Sequence, residues 1–224
     1  MAQTHGFMLC DCSVHRRATN LQFDRRKAEK ELAAYHRKGP GPTTRRLLDG
    51  LRDAQATGTL LDIGAGVGAL TFELLAGGVA QATYVDLAED SLRVAQEEAR
   101  RRHLSDHIAW HQGDFADLGV TTPPADIVAL DRVICCYPAF APLLTSAAAH
   151  CKRWLALSFP RERWFVRAGL ALDNLRRRVQ GNAFQTFVHP VPAIDSLLQD
   201  AGFRVVHQSQ SIIWHARIYV RSAT

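Results

Sequence analysis

Three aspartates follow three successive apolar segments, in a spacing that could hold one ligand carrying both hydroxyl and amino groups. Asp62 lies in LLDIGAGVGAL, Asp86 in YVDL and Asp114 in QGDF. A carboxylate accepts hydrogen bonds from ribose hydroxyls or an amino group, and it attracts an ammonium. If the three segments are parallel strands, their carboxyl ends open on one crevice. We therefore expect the three aspartates to bind the same molecule.

The loop after Asp62 narrows the choice of ligand. Its glycines permit a close approach of the backbone, and a helix N-terminus behind them favours electron-rich groups. A dinucleotide loop reads G-x-G-x-x-G, whereas this one reads G-x-G-x-G two residues after a carboxylate. That carboxylate would repel a pyrophosphate and attract the ammonium of an amino-acid-like cofactor, so the sequence favours S-adenosylmethionine over NAD. The expected cofactor residues are Asp62, Gly64, Ala65, Gly66, Gly68, Asp86 for the ribose, Leu87, Asp114 for the adenine amino group, and Phe115.

The elements that must position these residues alternate regularly along the chain. Apolar runs predict strands at 59–65, 81–87, 107–114, 125–131 and 153–159, and helical patterns lie between them. Such alternation predicts an α/β fold with a doubly wound, mostly parallel sheet. Two more runs at the end of the chain, FRVVHQSQ and SIIWHARIYVR, have almost no spacer and must pair antiparallel.

Two breaks in composition suggest how the chain is divided. KGPGPTT at 38–44 is a Gly/Pro hinge that follows an amphipathic helix with Ala28, Leu32 and Tyr35 on one face. We expect residues 1–44 to form an N-terminal arm and lid helix that excludes water from the reaction, unless the helix is permanently docked. Residues 45–224 would form the main domain, with a helical insertion on the substrate side at about 160–192.

The motifs between about 59 and 160 resemble those of class I S-adenosylmethionine-dependent methyltransferases. The resemblance implies a Rossmann-like methyltransferase fold with a seven-stranded sheet whose last strand is antiparallel. LALSFPRERWFVRAGLALDNLRRR further resembles the corresponding region of magnesium-protoporphyrin IX O-methyltransferases, although Cys136 stands where that group has a histidine before Tyr137-Pro138. Their N-terminal signature is replaced by CDCSVHRRATNLQFD. This second resemblance implies a small-molecule acceptor, with a carboxylate as one option.

DRVICCYP at 131–138 ends the fourth strand, where the fold brings the acceptor to the methyl group. We expect Asp131 and Arg132 to face the methionine part of the cofactor. For Cys135-Cys136 the alternatives are buried packing, a strained vicinal disulfide or a nucleophile that needs an activating base. Packing is favoured, with Cys136 also lining the acceptor site. The Asn/Asp-Pro-Pro-aromatic motif of enzymes that methylate amines of nucleic-acid bases is missing here.

Candidate residues for the acceptor side come from three segments. Methyl transfer needs alignment above all, and an oxygen or amine acceptor can also need a base. Tyr35, Tyr137 and His189 are the candidate catalytic residues, although His189 could equally be a turn residue before proline. Arg161 and Trp164, at the start of the insertion, are candidates to bind an acidic substrate, the alternative for the arginine being a surface charge.

Composition excludes some classes of protein and leaves others open. The 224 residues carry a net charge of +5 and five cysteines, without a signal-peptide pattern or an apolar run long enough to span a membrane. We expect a cytoplasmic protein with reduced thiols. Cys10 and Cys12 lack a second pair of ligands, so we predict no metal. Spread arginines make nucleic acid unlikely as a partner, but an RNA or protein methyltransferase and a non-catalytic cofactor-binding protein remain alternatives; the oligomeric state stays open.

Overall fold

A central sheet of seven strands organises the protein. The computed structural model describes residues 12–118 and 121–222. The strands are β1 (Thr59–Ile63), β2 (Gln81–Asp86), β3 (Ile108–Gln112), β4 (Ala125–Asp131), β5 (Cys151–Pro160), β6 (Phe203–Gln210) and β7 (Trp214–Arg221). Their order is β3-β2-β1-β4-β5-β7-β6, and β7 pairs antiparallel with both of its neighbours. The predicted mostly parallel sheet with an antiparallel last strand is confirmed.

Nine α-helices of the described residues cover this sheet. They are α1 (Cys12–Gln22), α2 (Arg25–Lys38), α3 (Pro42–Asp53), α4 (Ala69–Ala76), α5 (Glu89–Arg101), α6 (Phe115–Leu118), α7 (Phe140–His150), α8 (Trp164–Val179) and α9 (Val191–Asp200). None of these helices is long and apolar enough to cross a membrane. Helix α8 and the segment after it lie between β5 and α9, where the sequence predicts a helical insertion on the substrate side; that role stays a prediction.

The sheet is buried on both faces, which explains why its strands read as continuous apolar runs. Successive residues of a strand point to opposite faces. Leu60 accordingly joins a core cluster with Leu47 of α3 and Phe72 of α4, whereas Leu61 joins a second cluster with Leu144 of α7. The two cores hold the strands in register, so the carboxyl ends of β1 to β4 lie along one edge.

That edge contains the point at which the strand order reverses. From β1 the chain builds outward to β2 and β3, and then returns to place β4 on the other side of β1. Helices leave in opposite directions there, and this opens a crevice outside the carboxyl ends of the strands. The aspartates singled out from the sequence follow or end these strands, so the topology carries them to the crevice.

Local signals define the first helices. The Asp24 side chain caps α2 by accepting a hydrogen bond from the Lys27 backbone N–H at 2.9 Å, and Gly39, with a φ of 72°, ends this helix. Pro42 then begins α3, where a missing N–H costs nothing. The predicted Gly/Pro hinge therefore lies between two helices, α2 and α3. The division at residue 44 into an arm and a main domain stays a prediction.

Candidate active site

The loop between β1 and α4 forms one wall of the crevice. Gly64, Gly66 and Gly68 have φ values of 65°, 59° and 80°, which side chains rarely adopt. At Gly64 a Cβ atom would also lie 2.6 Å from a Val133 side-chain carbon. At Gly66 it would meet nothing within 4 Å, because this residue borders an open cavity. The loop therefore leaves room for a ligand at its tip.

Asp62 lies beneath this loop and is 1% exposed. Its Oδ2 accepts a hydrogen bond from the Thr71 hydroxyl at 2.7 Å. Burial raises the pKa of Asp62 to about 7; the Thr71 hydrogen bond lowers it, and the carboxylates of Asp131 and Asp86 raise it further. A cation placed at this site would favour the ionised form, so Asp62 is suited to receiving an ammonium.

Asp86 ends β2 and holds the glycine loop by its backbone. Its Oδ2 accepts from the Gly66 N–H at 2.7 Å, and its Oδ1 accepts from the Ala88 N–H at 2.7 Å. Burial raises the pKa of Asp86 to about 6, while these backbone hydrogen bonds oppose the rise. Each carboxylate oxygen has a second lone pair, so two ligand hydroxyls could still be accepted. Leu87, the next residue, lines the same cavity.

Asp114 is joined to Tyr137 across the crevice. The Tyr137 hydroxyl donates to Asp114 Oδ1 at 2.8 Å, and the Ala116 N–H donates to the same oxygen at 3.0 Å. Asp114 Oδ2 has no hydrogen bond within the described chain, but Asp114 itself does not line the cavity. Phe115 is 1% exposed and lines the cavity with Gly113. Burial and the Asp114 carboxylate raise the pKa of Tyr137, so this phenol stays protonated and acts as a donor.

Asp131 and Arg132 form the opposite wall, at the end of β4. Asp131 Oδ2 accepts from the Thr44 hydroxyl at 2.6 Å, and its Oδ1 accepts from the Ser158 hydroxyl at 2.5 Å. Arg132 has a φ of 62°, and its N–H donates to Ser158 Oγ at 2.7 Å. A left-handed conformation at a residue other than glycine costs free energy and is typical of functional sites. The hydrogen bonds to Ser158 and Thr44 fix both residues at the cavity.

The two cysteines at this strand end are thiols held by one carbonyl. Cys135 Sγ and Cys136 Sγ donate to the Arg132 carbonyl oxygen at 3.3 and 3.5 Å, and both residues line the cavity. They are free cysteines, as is Cys151. The Cys136 hydrogen bond and burial raise the pKa of Cys135 well above its usual value, which makes this thiol a poor nucleophile. Packing therefore remains the interpretation for this pair.

The cavity of about 360 Å³ continues from the cofactor residues under a roof made by α1, α2 and α8. Sequence reasoning missed most of this half. The roof contributes His15, Phe23, Lys27, Leu170, Arg177, Phe184 and Thr186. His15 packs against the Tyr137 ring with 5.0 Å between the ring centroids. Lys27 Nζ lies 4.3 Å from the centroid of the Phe23 ring. Burial lowers the pKa of Lys27, the Glu31 carboxylate opposes this, and the charges of Arg177 and Arg132 lower it further.

Four residues expected on the acceptor side lie away from this cavity. Tyr35 is buried between helices, and its hydroxyl donates to Glu73 Oε1 on α4 at 2.7 Å. The Arg161 guanidinium donates to the Ser211 carbonyl at 2.8 Å, and the Trp164 side chain is 79% exposed. His189 Nε2 contacts the carbonyl oxygens of Ile134 and Tyr137 at 3.0 and 2.9 Å. None of the four lines the cavity, so direct roles for them in the reaction lose their geometric basis.

The described residues contain no cluster of three or more histidine, cysteine, aspartate or glutamate side chains that could hold a metal. Cys10 lies outside these residues, and Cys12 begins α1 with a side chain that is not described. The amino-terminal metal site considered and disfavoured from the sequence is therefore not tested.

Comparisons with known proteins give a matching domain profile and a shared fold. A protein-family profile described as a methyltransferase domain matches residues 60–156. No curated protein matches the chain. The chain is similar to the magnesium protoporphyrin IX methyltransferase of Synechocystis PCC 6803 with bound S-adenosylhomocysteine, with a TM-score of 0.70 and 19% identity over 93% of this chain and 100% of that one.

Two further solved structures give the same result. The Synechocystis PCC 6803 enzyme with bound S-adenosylmethionine has a TM-score of 0.69 and 20% identity, over 97% of this chain and 100% of that one. An O-methyltransferase family protein from Burkholderia thailandensis has a TM-score of 0.70 and 19% identity, over 92% of this chain and 62% of that one. At these identities the similarity between the structures shows a shared fold.

Proposed function

Residues 60–156 match the profile of a methyltransferase domain, and from this premise we propose that the protein uses S-adenosylmethionine to methylate an oxygen of a small anionic acceptor. A carboxylate is the preferred acceptor group. The proposal is supported by Lys27, a cation of the roof that has no ion pair within the described residues, although the roof also carries Glu31 and Asp173.

Most of the expected cofactor residues line one half of the cavity; Gly68 and Asp114 do not. The Gly66 tip leaves open space beside two carboxylates, Asp62 for the ammonium and Asp86 for the ribose hydroxyls. Phe115 and Leu87 would cover the adenine ring, and the expected role of Asp114 at the adenine amino group stays a prediction. When bound, the cofactor supplies an electrophilic methyl group on a sulfonium. The protein contributes alignment and the exclusion of water.

Lys27 carries the argument for an anionic acceptor. Its Nζ has no hydrogen-bond partner within the described residues and rests against the Phe23 ring. Arg132 and Arg177 line the same cavity and lower the pKa of Lys27 by repulsion. Arg177 forms an ion pair with Asp173 at 2.6 Å. Glu31, one turn further along α2, also lines the cavity and raises the pKa of Lys27, but it forms no ion pair with Lys27 within the described residues, so the ammonium can still accept a counter-ion. A bound carboxylate would supply the missing charge.

A carboxylate also matches the available acid–base groups. It is ionised at neutral pH and needs no base before it attacks a methyl group. Tyr137 cannot serve as that base while its pKa is raised, and His189 lies outside the cavity. His15 does line the cavity, so a hydroxyl acceptor deprotonated by His15 is the second candidate.

The test follows label from methyl-labelled S-adenosylmethionine into cell extract, separated into organic, RNA and protein fractions. Magnesium protoporphyrin IX is the first pure compound to add, because it is the acceptor named for the similar structures. A methyl ester releases volatile methanol in alkali, whereas an ether or an N-methyl group does not. We expect alkali-labile label in the organic fraction; alkali-stable label there would favour a hydroxyl, and label in RNA or protein would overturn the proposal.

The matched variants are Lys27→Met and Lys30→Met. Both lysines lie on α2, but Lys30 is exposed and does not line the cavity. We expect Lys27→Met to reduce label transfer at least about tenfold, the cost of one charged hydrogen bond, with an unchanged affinity for S-adenosylmethionine. Lys30→Met should behave as wild type. Equal transfer by both variants would remove the support for an anionic acceptor.

A further inference from the structure

Helix α8 turns an apolar face to solvent. Five large hydrophobic side chains of this helix are exposed, whereas Val166 is its buried residue. The exposed fractions are 79% for Trp164, 37% for Phe165, 68% for Leu172, 57% for Leu175 and 81% for Val179. Scattered exposed hydrophobic residues are ordinary, but a contiguous group marks an interaction site.

The helical spacing shows that these residues form one surface. At 3.6 residues per turn, the positions from Ala171 to Phe165 fill an arc of about 120°. Arg167 and Arg178 border this arc on one side and Arg176 borders it on the other. The opposite side of the helix carries Leu170, Asp173 and Arg177, which line the cavity. We name the outward surface, consisting of Trp164, Phe165, Ala168, Ala171, Leu172, Leu175 and Val179, the α8 face.

The turn between β6 and β7 adds to this surface. Ile212 and Ile213 are 74% and 46% exposed. The Arg161 backbone N–H donates to the Ile213 carbonyl at 2.8 Å, and its guanidinium donates to the Ser211 carbonyl at 2.8 Å. The turn is therefore fixed beside the start of α8, and it adds two exposed hydrophobic side chains close to that end of the helix. Arg161, expected to bind substrate, fixes this turn instead.

We propose that the α8 face docks onto the surface of an anionic lipid bilayer, with the helix lying in the plane of the interface. An apolar arc with a tryptophan and arginine borders is the pattern of interfacial helices. The 16 residues of α8 are too few to span the roughly 30 Å hydrocarbon core. Arginines beside the arc would meet anionic headgroups while the apolar side chains enter the interface.

Charge distinguishes a bilayer from a second copy of this chain as the occupant. Glu162 forms an ion pair with Arg167 at 3.5 Å, and Asp173 forms one with Arg177 on the side of α8 that lines the cavity. Arg176 and Arg178 have no ion pair within the described part of the chain. A two-fold dimer through the α8 face would bring these arginine borders against each other, which is unfavourable. An anionic surface neutralises them, and this outcome is independent of which acceptor is methylated.

The test is co-sedimentation with vesicles of phosphatidylcholine alone and of phosphatidylcholine with 30% phosphatidylglycerol. We expect the wild-type protein to pellet with the anionic vesicles, less at high salt, and little with the neutral ones. Leu175→Glu should reduce pelleting at least tenfold. Val206→Glu is the control, because Val206 is 40% exposed on the edge strand β6, outside the α8 face. Far-UV circular dichroism checks that both variants fold.

A second readout follows the helix itself. The fluorescence of Trp164 should shift to shorter wavelength on anionic vesicles, and Trp164→Phe should abolish that shift although three other tryptophans remain. Absence of pelleting, or equal pelleting of wild type and Leu175→Glu, would overturn the proposal. A concentration-dependent dimer that Leu175→Glu dissociates, without vesicle binding, would overturn it in favour of a second copy.

Discussion

Asp62 and Asp86, the carboxylates proposed to hold the cofactor, lie where burial disfavours ionisation, and a bound cation would favour it at Asp62. Asp62 is buried beneath the glycine loop with one hydroxyl donor, Thr71. Because its pKa is raised to about 7 in the folded protein, the unfolded chain ionises it at lower pH than the folded chain does. Between about pH 4 and 7 the folded state therefore binds more protons, and the free energy of unfolding falls as pH rises.

Asp62→Asn should accordingly separate stability from binding. The variant lacks the carboxyl group that titrates. Between pH 5 and 8 its free energy of unfolding should therefore fall less than that of the wild type, and the difference between the two falls should be about 2 kcal/mol. Its affinity for S-adenosylmethionine should fall, because the ammonium loses its carboxylate. Chemical denaturation at the two pH values and titration calorimetry measure the two effects. The prediction would be contradicted if Asp62→Asn had both a lower free energy of unfolding and a lower affinity than the wild type at pH 8.

Asp126→Asn is the control with the opposite sign. The Thr59 backbone N–H and hydroxyl donate to Asp126 Oδ2 at 2.8 and 2.9 Å, and these hydrogen bonds lower the pKa of Asp126. A carboxylate whose pKa is lowered by folding stabilises the folded state at pH values above its ordinary pKa. This stabilisation is lost as the pH falls through the lowered pKa. Asp126→Asn should therefore be less stable than wild type at pH 8, with unchanged cofactor affinity.

At the scale of elements, one histidine joins the segment after α8 to the end of β4. The His189 ring is buried against Phe140, with 4.5 Å between centroids, and burial lowers its pKa. The neutral ring can donate through Nε2 to the carbonyl oxygens of Ile134 and Tyr137. Without the His189 side chain, both carbonyls would lose this donor. The Phe187 N–H donates to the Cys135 carbonyl at 2.7 Å beside it. His189 thus positions the cavity wall.

This assignment predicts rescue by glutamine. His189→Ala should lower the free energy of unfolding by about 1 to 3 kcal/mol, the cost of unsatisfied buried carbonyls, and should reduce kcat/KM through a displaced wall. His189→Gln keeps an N–H donor and should recover most of both quantities without changing the pH profile of kcat/KM. If His189 instead transferred a proton, glutamine would be as inactive as alanine.

Local patterns account for the part of the site that could be predicted. Strand ends and the glycine loop are encoded within a few residues, so Asp62, Asp86 and Gly66 could be placed from sequence. The roof of the cavity brings α1 and α2 together with α8, which lies more than 100 residues further along the chain. No periodic pattern in the sequence indicates that these helices meet. The face of α2 with Tyr35 was expected to reach the active site; its apolar pattern indicated burial, and that burial is against α4 and α5. Lys27 lies on another face of the same helix.

For the molecule as a whole, the helices α1 and α2 of the roof differ in how many contacts hold them to the rest of the protein. Helix α2 is fixed by buried Ala28 and Tyr35, and by His36, whose Nε2 lies 3.0 Å from Glu98 Oε1 on α5. Helix α1 has lighter ties: Asn20 Oδ1 accepts from the Glu89 N–H at 3.0 Å, and Gln22 Oε1 accepts from Asn182 at 3.1 Å. If the arm acts as a lid, α1 is the part that can open.

Hydrogen exchange with and without S-adenosylmethionine tests this division. Without cofactor we expect amides in 25–38 to exchange slowly and those in 12–22 quickly. Exchange follows local opening, and α2 buries the large Tyr35 ring, whereas Ala18 is the buried apolar residue among residues 15–22 of α1. His15 and Thr19 of α1 line the cavity, as do Lys27 and Glu31 of α2. A bound ligand therefore adds contacts to both helices, but α2 is already held without it by the contacts of Tyr35 and His36. Cofactor should slow exchange in α1 about tenfold or more and change α2 little. Equal protection of both helices before ligand is added would mean that the roof is permanently closed, and the acceptor would then have to enter past α8.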